Sequence, residues 1–193
     1  MLSAEYRNID KRKITIDDRE LSARLGRLCS HTDPHISSVV DVLIRESDPK
    51  YALSCCPLTF DGGKVTLGFG TVKSTALAKC LAGCHEAFVF AVTLGIGVDR
   101  LISRISRTSK AEAFIYDAVA SALAEAVCDV AESEIVAGRE SSMRFSVGYG
   151  DFSLDYQGKV LDFLGAPTYL GITLTDSGLM VPFKTITAVV GIK

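Results

Sequence analysis

The sequence lacks a large excess of charge of either sign. It has 21 Lys and Arg residues and 23 Asp and Glu residues, which gives a formal net charge of -2. Such a chain offers no general attraction to phosphate, and no long basic stripe with interleaved aromatic residues runs through it. We therefore expect no nucleic-acid partner. The one basic segment, residues 100–110, alternates with apolar residues, which is typical of a solvated helix face and leaves contact with an acidic partner open.

Long apolar runs are also absent. The uncharged stretch 87–98 is shorter than the roughly 20 residues of a membrane-spanning helix, so it is interpreted as buried core and no membrane partner is expected. The N-terminus, residues 1–13, carries acidic and basic residues where a secretory signal would place an apolar run. A cytoplasmic location is the expectation.

Cysteines are few, six in all, and their irregular spacing does not indicate a disulfide framework. Cys80, Cys84 and His85 are close together in the sequence, but no second ligand pair with zinc spacing accompanies them. Free thiols and no metal site are therefore predicted.

A complete phosphate-binding glycine loop is missing as well. The segment Thr93–Asp99 has two glycines after an apolar run, but neither a correctly placed third glycine nor a Gly-Lys-Ser/Thr ending. We interpret it as a tight connection from a strand to a helix.

The patterns that are present predict one mixed α and β unit. The 193 residues fit a single compact domain with a sizeable core, and the 48% hydrophobic and 23% charged content is ordinary for a folded protein. Helical spacing of apolar residues and caps such as Asp33-Pro34 predict helices over 18–28, 34–46, 76–83, 109–137 and 160–164. The β-rich runs predict a hairpin over 58–69 and strands over 87–93, 172–175 and 185–192.

The most distinctive segment is Arg144-Phe145-Ser146-Val147-Gly148-Tyr149-Gly150-Asp151. A guanidinium is a rigid, permanently charged fork suited to a carboxylate, and glycines on both sides of a tyrosine let a ligand approach the backbone closely. From the residues alone, the segment is compatible either with an amino-acid ligand site or with a structural turn.

The Arg-x-x-x-Gly-Tyr pattern resembles the S-adenosylmethionine-binding motif of the activation (reactivation) domain of cobalamin-dependent methionine synthase. Residues 171–182, with Leu-Thr-Asp-Ser before a methionine and a proline, are similar to a downstream family segment. The Thr-Leu-Gly segment at 93–95 and the helix over 113–132 resemble small stand-alone members. The resemblance covers about residues 75–193, and residues 1–70 match only loosely.

This resemblance implies an α+β fold with a twisted, largely antiparallel sheet, flanking helices and a shallow ligand cleft. It divides the chain into an N-terminal helical segment with the start of a hairpin, residues 1–70, as part of the same unit, and a core like the activation domain, residues 71–193.

The resemblance also implies a ligand site. Arg144 would pair with the methionine carboxylate, and the backbone around Ser146, with Gly148 and Tyr149, would hold the S-adenosylmethionine. The family uses an acidic residue from its N-terminal part as well, for which Asp41, Asp61 and Asp99 are the candidates.

Two departures from the family concern the surroundings of that site. Gly150-Asp151-Phe152-Ser153-Leu154 replaces a segment with proline and cysteine at the cleft rim. Val189 and Val190 stand where the larger enzyme has aromatic residues near the corrinoid.

The implied chemistry is the reductive methylation of an oxidised cob(II)alamin on a cobalamin-dependent methionine synthase or another corrinoid protein. An electron donor such as flavodoxin supplies one electron, and S-adenosylmethionine supplies the methyl group. The corrinoid is the nucleophile, so the module needs no general base and acts by positioning.

Two alternatives remain open at the level of sequence. One is a ligand-sensing or regulatory module of the same fold without methyl transfer. The other is an independent enzyme with a reactive cysteine such as Cys84.

Overall fold

The computed structural model describes residues 4–26 and 28–193, which contain both strands and helices. The strands are β1 (Glu5–Asn8), β2 (Lys50–Pro57), β3 (Thr59–Asp61), β4 (Lys64–Leu67), β5 (Gly70–Lys73), β6 (Glu86–Thr93), β7 (Phe145–Ser146), β8 (Thr173–Leu174), β9 (Met180–Val181) and β10 (Thr185–Ile192). The helices are α1 (Asp18–Leu25), α2 (Pro34–Glu46), α3 (Thr75–Cys80), α4 (Ile96–Ile105), α5 (Lys110–Val136), α6 (Gln157–Phe163) and α7 (Ala166–Tyr169).

Helix boundaries differ from the predicted ones where a backbone cap decides them. The helix predicted over 18–28 ends at Leu25, because Gly26 takes a left-handed conformation at φ 66°; residue 27 lies outside the described residues. The helix predicted over 76–83 ends at Cys80. The helix predicted over 160–164 starts three residues earlier, at Gln157.

Five strands form the main sheet in the order β1-β2-β6-β10-β7, and every neighbouring pair is antiparallel. Two smaller antiparallel sheets, β3-β4-β5 and β8-β9, complete the β-structure of the described residues. The predicted fold class, α+β with a largely antiparallel sheet and flanking helices, is confirmed. Strands β1 and β2, which the sequence patterns did not identify, lie in the same sheet as the C-terminal strand β10.

The main sheet is buried on both faces, which explains the unbroken apolar sequence of β6. Phe90 and Val92 of β6 face a core formed with α1, α2, α4 and α5. Val89 and Ala91, at the alternating positions, belong to a second core formed with α3, α6 and the β3-β4-β5 sheet. A strand covered on both sides carries no polar alternation.

Helix α5 is the longest in the described residues, with 27 residues, and begins where Ser109 caps it. Its C-terminus is closed by Ala137, which takes a left-handed conformation. The alanine-rich sequence lets α1, α2, α4 and the sheet pack closely around it. The face of α5 that does not pack against these elements carries charged residues, which contact Arg144.

One buried polar contact ties the main sheet to α5. Tyr51 of β2 is fully buried, and its hydroxyl donates to Oε2 of Glu134 at 3.0 Å. The other oxygen of Glu134 accepts from Nζ of Lys13 at 2.7 Å. Burial, and then the contact with Glu134, raise the pKa of Tyr51 to about 12.

No helix within residues 4–26 and 28–193 is long and apolar enough to span a lipid bilayer.

Candidate functional site

The Arg144–Asp151 segment forms a short edge strand followed by a tight turn. Strand β7 pairs with β10, so that Ser146 lies opposite Ala188. The N–H of Tyr149 then donates to the carbonyl of Ser146 at 3.1 Å, and the N–H of Gly148 donates to the carbonyl of Phe152 at 2.8 Å. Gly148 has φ 91°, which L side chains rarely adopt, and a Cβ there would also press on Leu154. The turn therefore requires this glycine.

Asp151 fixes the far end of the turn to α3. Its carboxylate accepts from the hydroxyl of Ser74 and from the N–H groups of Thr75 and Ala76, at 2.8 and 3.1 Å. These contacts lower the pKa of Asp151, with the Ser74 hydroxyl as the largest cause, so the carboxylate stays charged at neutral pH. The departure from the family sequence after Gly150 thus supplies an anchor for the turn.

Arg144 is held by three carboxylates from one face of α5. Its Nη1 donates to Asp129 Oδ1 at 2.8 Å and to Glu132 Oε2 at 2.8 Å, and its Nη2 donates to Glu125 Oε2 at 3.0 Å. The side chain is 20% exposed. Three negative charges around one positive charge leave local negative charge in excess.

Arg144 stays positively charged at neutral pH. Burial by itself lowers the pKa of this guanidinium, but interactions with Cys128, Asp129 and Glu132 outweigh that effect and raise it above its usual value. Cys128 is itself buried, which raises the pKa of its thiol to about 12. Because that thiol is neutral at pH 7, the carboxylates provide the stabilisation under ordinary conditions.

An open cavity of about 430 Å³ lies beside this ion-pair cluster, between α1, α5 and the turn. Its lining residues are Asp17, Arg19, Glu20, Arg24, Ala122, Glu125, Ala126, Asp129, Arg144 and Tyr149. Arg24 also contacts both Glu20, at 2.6 Å, and Glu125, at 3.5 Å. The wall of the cavity is therefore highly polar, with charges of both signs.

The structure brings two of the four predicted site residues to the wall of this cavity. Arg144 and Tyr149 line it, and Tyr149 is 68% exposed. Ser146 and Gly148 belong to the segment that connects them, as a strand residue and a turn residue. The contacts of these four residues with a ligand stay a prediction.

The carboxylates that contact Arg144 were not identified from the sequence. Glu125, Asp129 and Glu132 repeat at intervals of four and three residues, which places them on one face of a helix. This spacing was a readable signal, but it does not indicate which distant cation the carboxylates meet. Asp17 caps α1, where its side chain accepts from the N–H of Arg19 at 2.6 Å.

The three acidic candidates from the resemblance lie elsewhere. Asp41 is exposed on α2, and Asp61 is exposed at the end of β3. Asp99 is half-buried on α4 and accepts from the N–H of Phe183 at 2.7 Å. Val189 and Val190 are fully buried in the two cores, since β10 lies inside the main sheet.

The surroundings of Cys80 and Cys84 raise the pKa of both thiols, with burial as the largest cause. Cys84 is buried, and burial raises its pKa, so that the thiol is protonated at neutral pH. Cys80 donates from Sγ to the carbonyl of Met143 at 3.2 Å. Within the part of the chain that the structure describes, no cluster of three or more His, Cys, Asp or Glu side chains is arranged to hold a metal ion.

The sequence matches no family model and no curated protein. Among solved structures, the chain is similar to the crystal structure of the MetH reactivation domain bound to AdoHcy, with a TM-score of 0.70 and 14% sequence identity. The likeness covers 98% of this chain and 78% of that chain. The chain thus has the fold of the MetH reactivation domain, as the sequence resemblance implied.

Proposed function

We propose that this protein is an S-adenosylmethionine-binding module that supports reductive methylation of the corrinoid on a cobalamin-dependent methionine synthase. The observation that carries the proposal is an open cavity beside Arg144 and Tyr149, on a fold shared with a domain whose solved structure holds AdoHcy. The 430 Å³ of the cavity falls within the range of roughly 300–1,000 Å³ typical of small-molecule sites.

The chemistry of the cavity wall fits a zwitterion that carries an additional positive charge. A guanidinium has five N–H donors, of which three are used by Glu125, Asp129 and Glu132. The two others, on Nε and Nη2, have no hydrogen-bond partner within the described residues, and in this proposal they donate to the ligand carboxylate. The surplus carboxylates, with Asp17 and Glu20 opposite, suit an ammonium and a sulfonium.

Asp17 and Glu20 also suit the acidic role that the resemblance assigns to the N-terminal part of the chain. Both belong to that part and line the cavity. In this proposal, Tyr149 covers the ligand from the turn, and Ser146 and Gly148 offer backbone groups.

Bound S-adenosylmethionine supplies the methyl group: its sulfur–methyl bond breaks, S-adenosylhomocysteine leaves, and the methyl passes to a partner corrinoid that an electron donor such as flavodoxin has reduced. The residues of this chain contribute binding and orientation, which is sufficient because a reduced corrinoid is itself the nucleophile. The partner and the donor are part of the proposal.

Calorimetric titration with S-adenosylmethionine tests the site. We expect saturable binding by the wild type, and at least about tenfold weaker binding by Tyr149→Ala, whose exposed side chain is not needed for folding. Arg144→Lys keeps the charge for the carboxylates but loses the planar fork, so its affinity also drops. Arg45→Lys, on an exposed part of α2, is the matched control and binds normally.

Failure of the wild type to bind at millimolar concentration would refute the proposal. Binding alone does not separate it from the alternative, a sensing module without methyl transfer. That distinction requires a cobalamin-loaded methionine synthase in the cob(II)alamin state, reduced flavodoxin and labelled S-adenosylmethionine. Label on the corrinoid that depends on this chain and is reduced in Tyr149→Ala supports reactivation, whereas binding without transfer supports sensing.

A further inference from the structure

A second polar surface lies on α4, apart from the cavity beside Arg144. Arg100 and Arg104 lie one turn apart on α4, Arg107 lies in the turn that follows the helix, and all three are exposed. They border a hollow of about 460 Å³ whose other lining residues are Ile96, Asp99, Ser103, Val181 and Phe183. We refer to these eight residues as the α4 surface.

The guanidinium groups of the α4 surface have no acidic partner in the described residues. Within the described residues, no carboxylate lies within 4.0 Å of Arg100, Arg104 or Arg107. Other arginines do form ion pairs within this distance: Arg7, Arg12, Arg24, Arg45, Arg139 and Arg144. Asp99 is the one acidic side chain in the hollow, and it is committed to the N–H of Phe183. The surface is therefore locally basic on a chain whose net charge is -2.

Exposed apolar side chains lie next to these charges. Phe183 is 59% exposed and Ile96 is 40% exposed, and both line the hollow. Aromatic residues and arginine are the types enriched where proteins meet. An arginine row beside an exposed aromatic ring thus has the composition of a protein interface.

We propose that the α4 surface docks an acidic protein partner. Arg100 and Arg104 are about 6 Å apart along the axis of α4, at about 1.5 Å per residue, and Arg107 extends the row beyond the end of the helix. A row of three guanidinium groups matches several carboxylates on a protein surface better than one small anion. The proposal is independent of the ligand that the cavity beside Arg144 takes.

A lipid surface fits the geometry less well. Val98 and Leu101 of α4 are buried in the core next to α5, so the apolar face of the helix is already covered. A helix that binds a membrane interface needs that face to enter the lipid. A protein with carboxylates around an apolar spot satisfies both the arginines and Phe183.

The probe for this surface is a fluorescein-labelled helical peptide of 18 residues, with leucines on one face and glutamates on the rest. Its binding to the protein is measured by fluorescence anisotropy. We expect saturable binding at 50 mM salt and at least about tenfold weaker binding at 300 mM, because the contact is electrostatic. The triple variant Arg100→Gln, Arg104→Gln, Arg107→Gln should bind at least about tenfold more weakly than the wild type at 50 mM salt.

A matched control removes the same total charge elsewhere. The variant Lys64→Gln, Lys73→Gln, Lys79→Gln changes three exposed lysines and should keep wild-type affinity. Phe183→Ala should weaken the leucine-containing peptide and leave an all-glutamate peptide unchanged, which separates docking from attraction by charge alone.

Three results would overturn the proposal. One is the absence of saturable binding at 50 mM salt. Another is an equal loss in the lysine control and in the arginine variant, since the attraction would then be a property of net charge. The last is sedimentation of the protein with phosphatidylcholine–phosphatidylglycerol vesicles that depends on the same arginines, which would assign the α4 surface to a membrane.

Discussion

Replacing Arg144 by methionine removes the cation that contacts all three carboxylates of the cluster on α5, while it keeps much of the side-chain length. Asp129 is 70% exposed, so its contact contributes at most about 1 kcal/mol. Glu125 and Glu132 are 35% and 25% exposed, and hydrogen bonds to charged groups contribute about 1.5–3 kcal/mol each when protected from water. With partial solvent screening, we expect Arg144→Met to lower the free energy of unfolding by about 2–4 kcal/mol.

The assay is urea unfolding followed by far-UV circular dichroism, with the midpoint and the slope both fitted. Asp129→Asn should change stability by about 1 kcal/mol or less, because that carboxylate is well solvated. Arg45→Met, which removes an exposed guanidinium 3.9 Å from Glu46, should stay within about 0.5 kcal/mol of the wild type.

A second substitution tests the cause of the loss. In the Arg144→Met background, Glu132→Gln removes a carboxylate that no longer has a cation, so part of the lost stability should return. A loss below about 1 kcal/mol in Arg144→Met, or no coupling between positions 144 and 132, would refute the reasoning, since contacting residues in one network usually couple by about 0.5–3 kcal/mol.

Three further predictions concern buried or anchoring contacts. Tyr51→Phe should destabilise the protein by about 1–2 kcal/mol in urea unfolding, because a hydrogen bond to a carboxylate is lost. Folding raises the pKa of Tyr51 from 10.0 to about 12, so the contribution of Tyr51 to the free energy of unfolding is complete below pH 10 and is lost as the pH rises through 12. Absorbance at 295 nm that shows Tyr51 ionising near pH 10 in the folded protein would contradict this. Asp151→Ala should release the turn from α3 and weaken S-adenosylmethionine binding about three- to tenfold in calorimetry, because fewer molecules hold the binding conformation; unchanged affinity would show that the anchor is dispensable. Gly97→Ala places a Cβ against the carbonyl oxygen of Glu46. We expect it to lower the free energy of unfolding by about 1–3 kcal/mol, seen as a lower melting temperature. Gly158→Ala in α6 meets nothing closer than 3.6 Å and should leave the melting temperature unchanged.

Elements with local signals could be predicted from the sequence. Helix α2 begins at Pro34 after the Asp33 cap, as predicted, and α5 runs nearly the full length of its alanine-rich pattern. Strand β6 follows the apolar run, and the hairpin predicted over 58–69 is present as β3 and β4, with β5 added. Caps, periodicity and turn residues act within a few positions, so they can be read before the chain folds.

The turn of the candidate site was also accessible from the sequence, because its residues are contiguous. Gly148 and Tyr149 follow Arg144 within five positions, and the backbone hydrogen bonds that close the turn are short-range. A motif of this kind carries its own geometry.

The residues that surround that turn depend on long-range packing and could not be predicted from the sequence. Glu125 and Glu132 precede Arg144 by 19 and 12 residues, and Asp17 comes from the opposite end of the chain. Their meeting depends on how α1 packs on α5 and on the pairing of β7 with β10. Such contacts join elements that are distant in sequence, and no local spacing specifies the partner of a charged side chain.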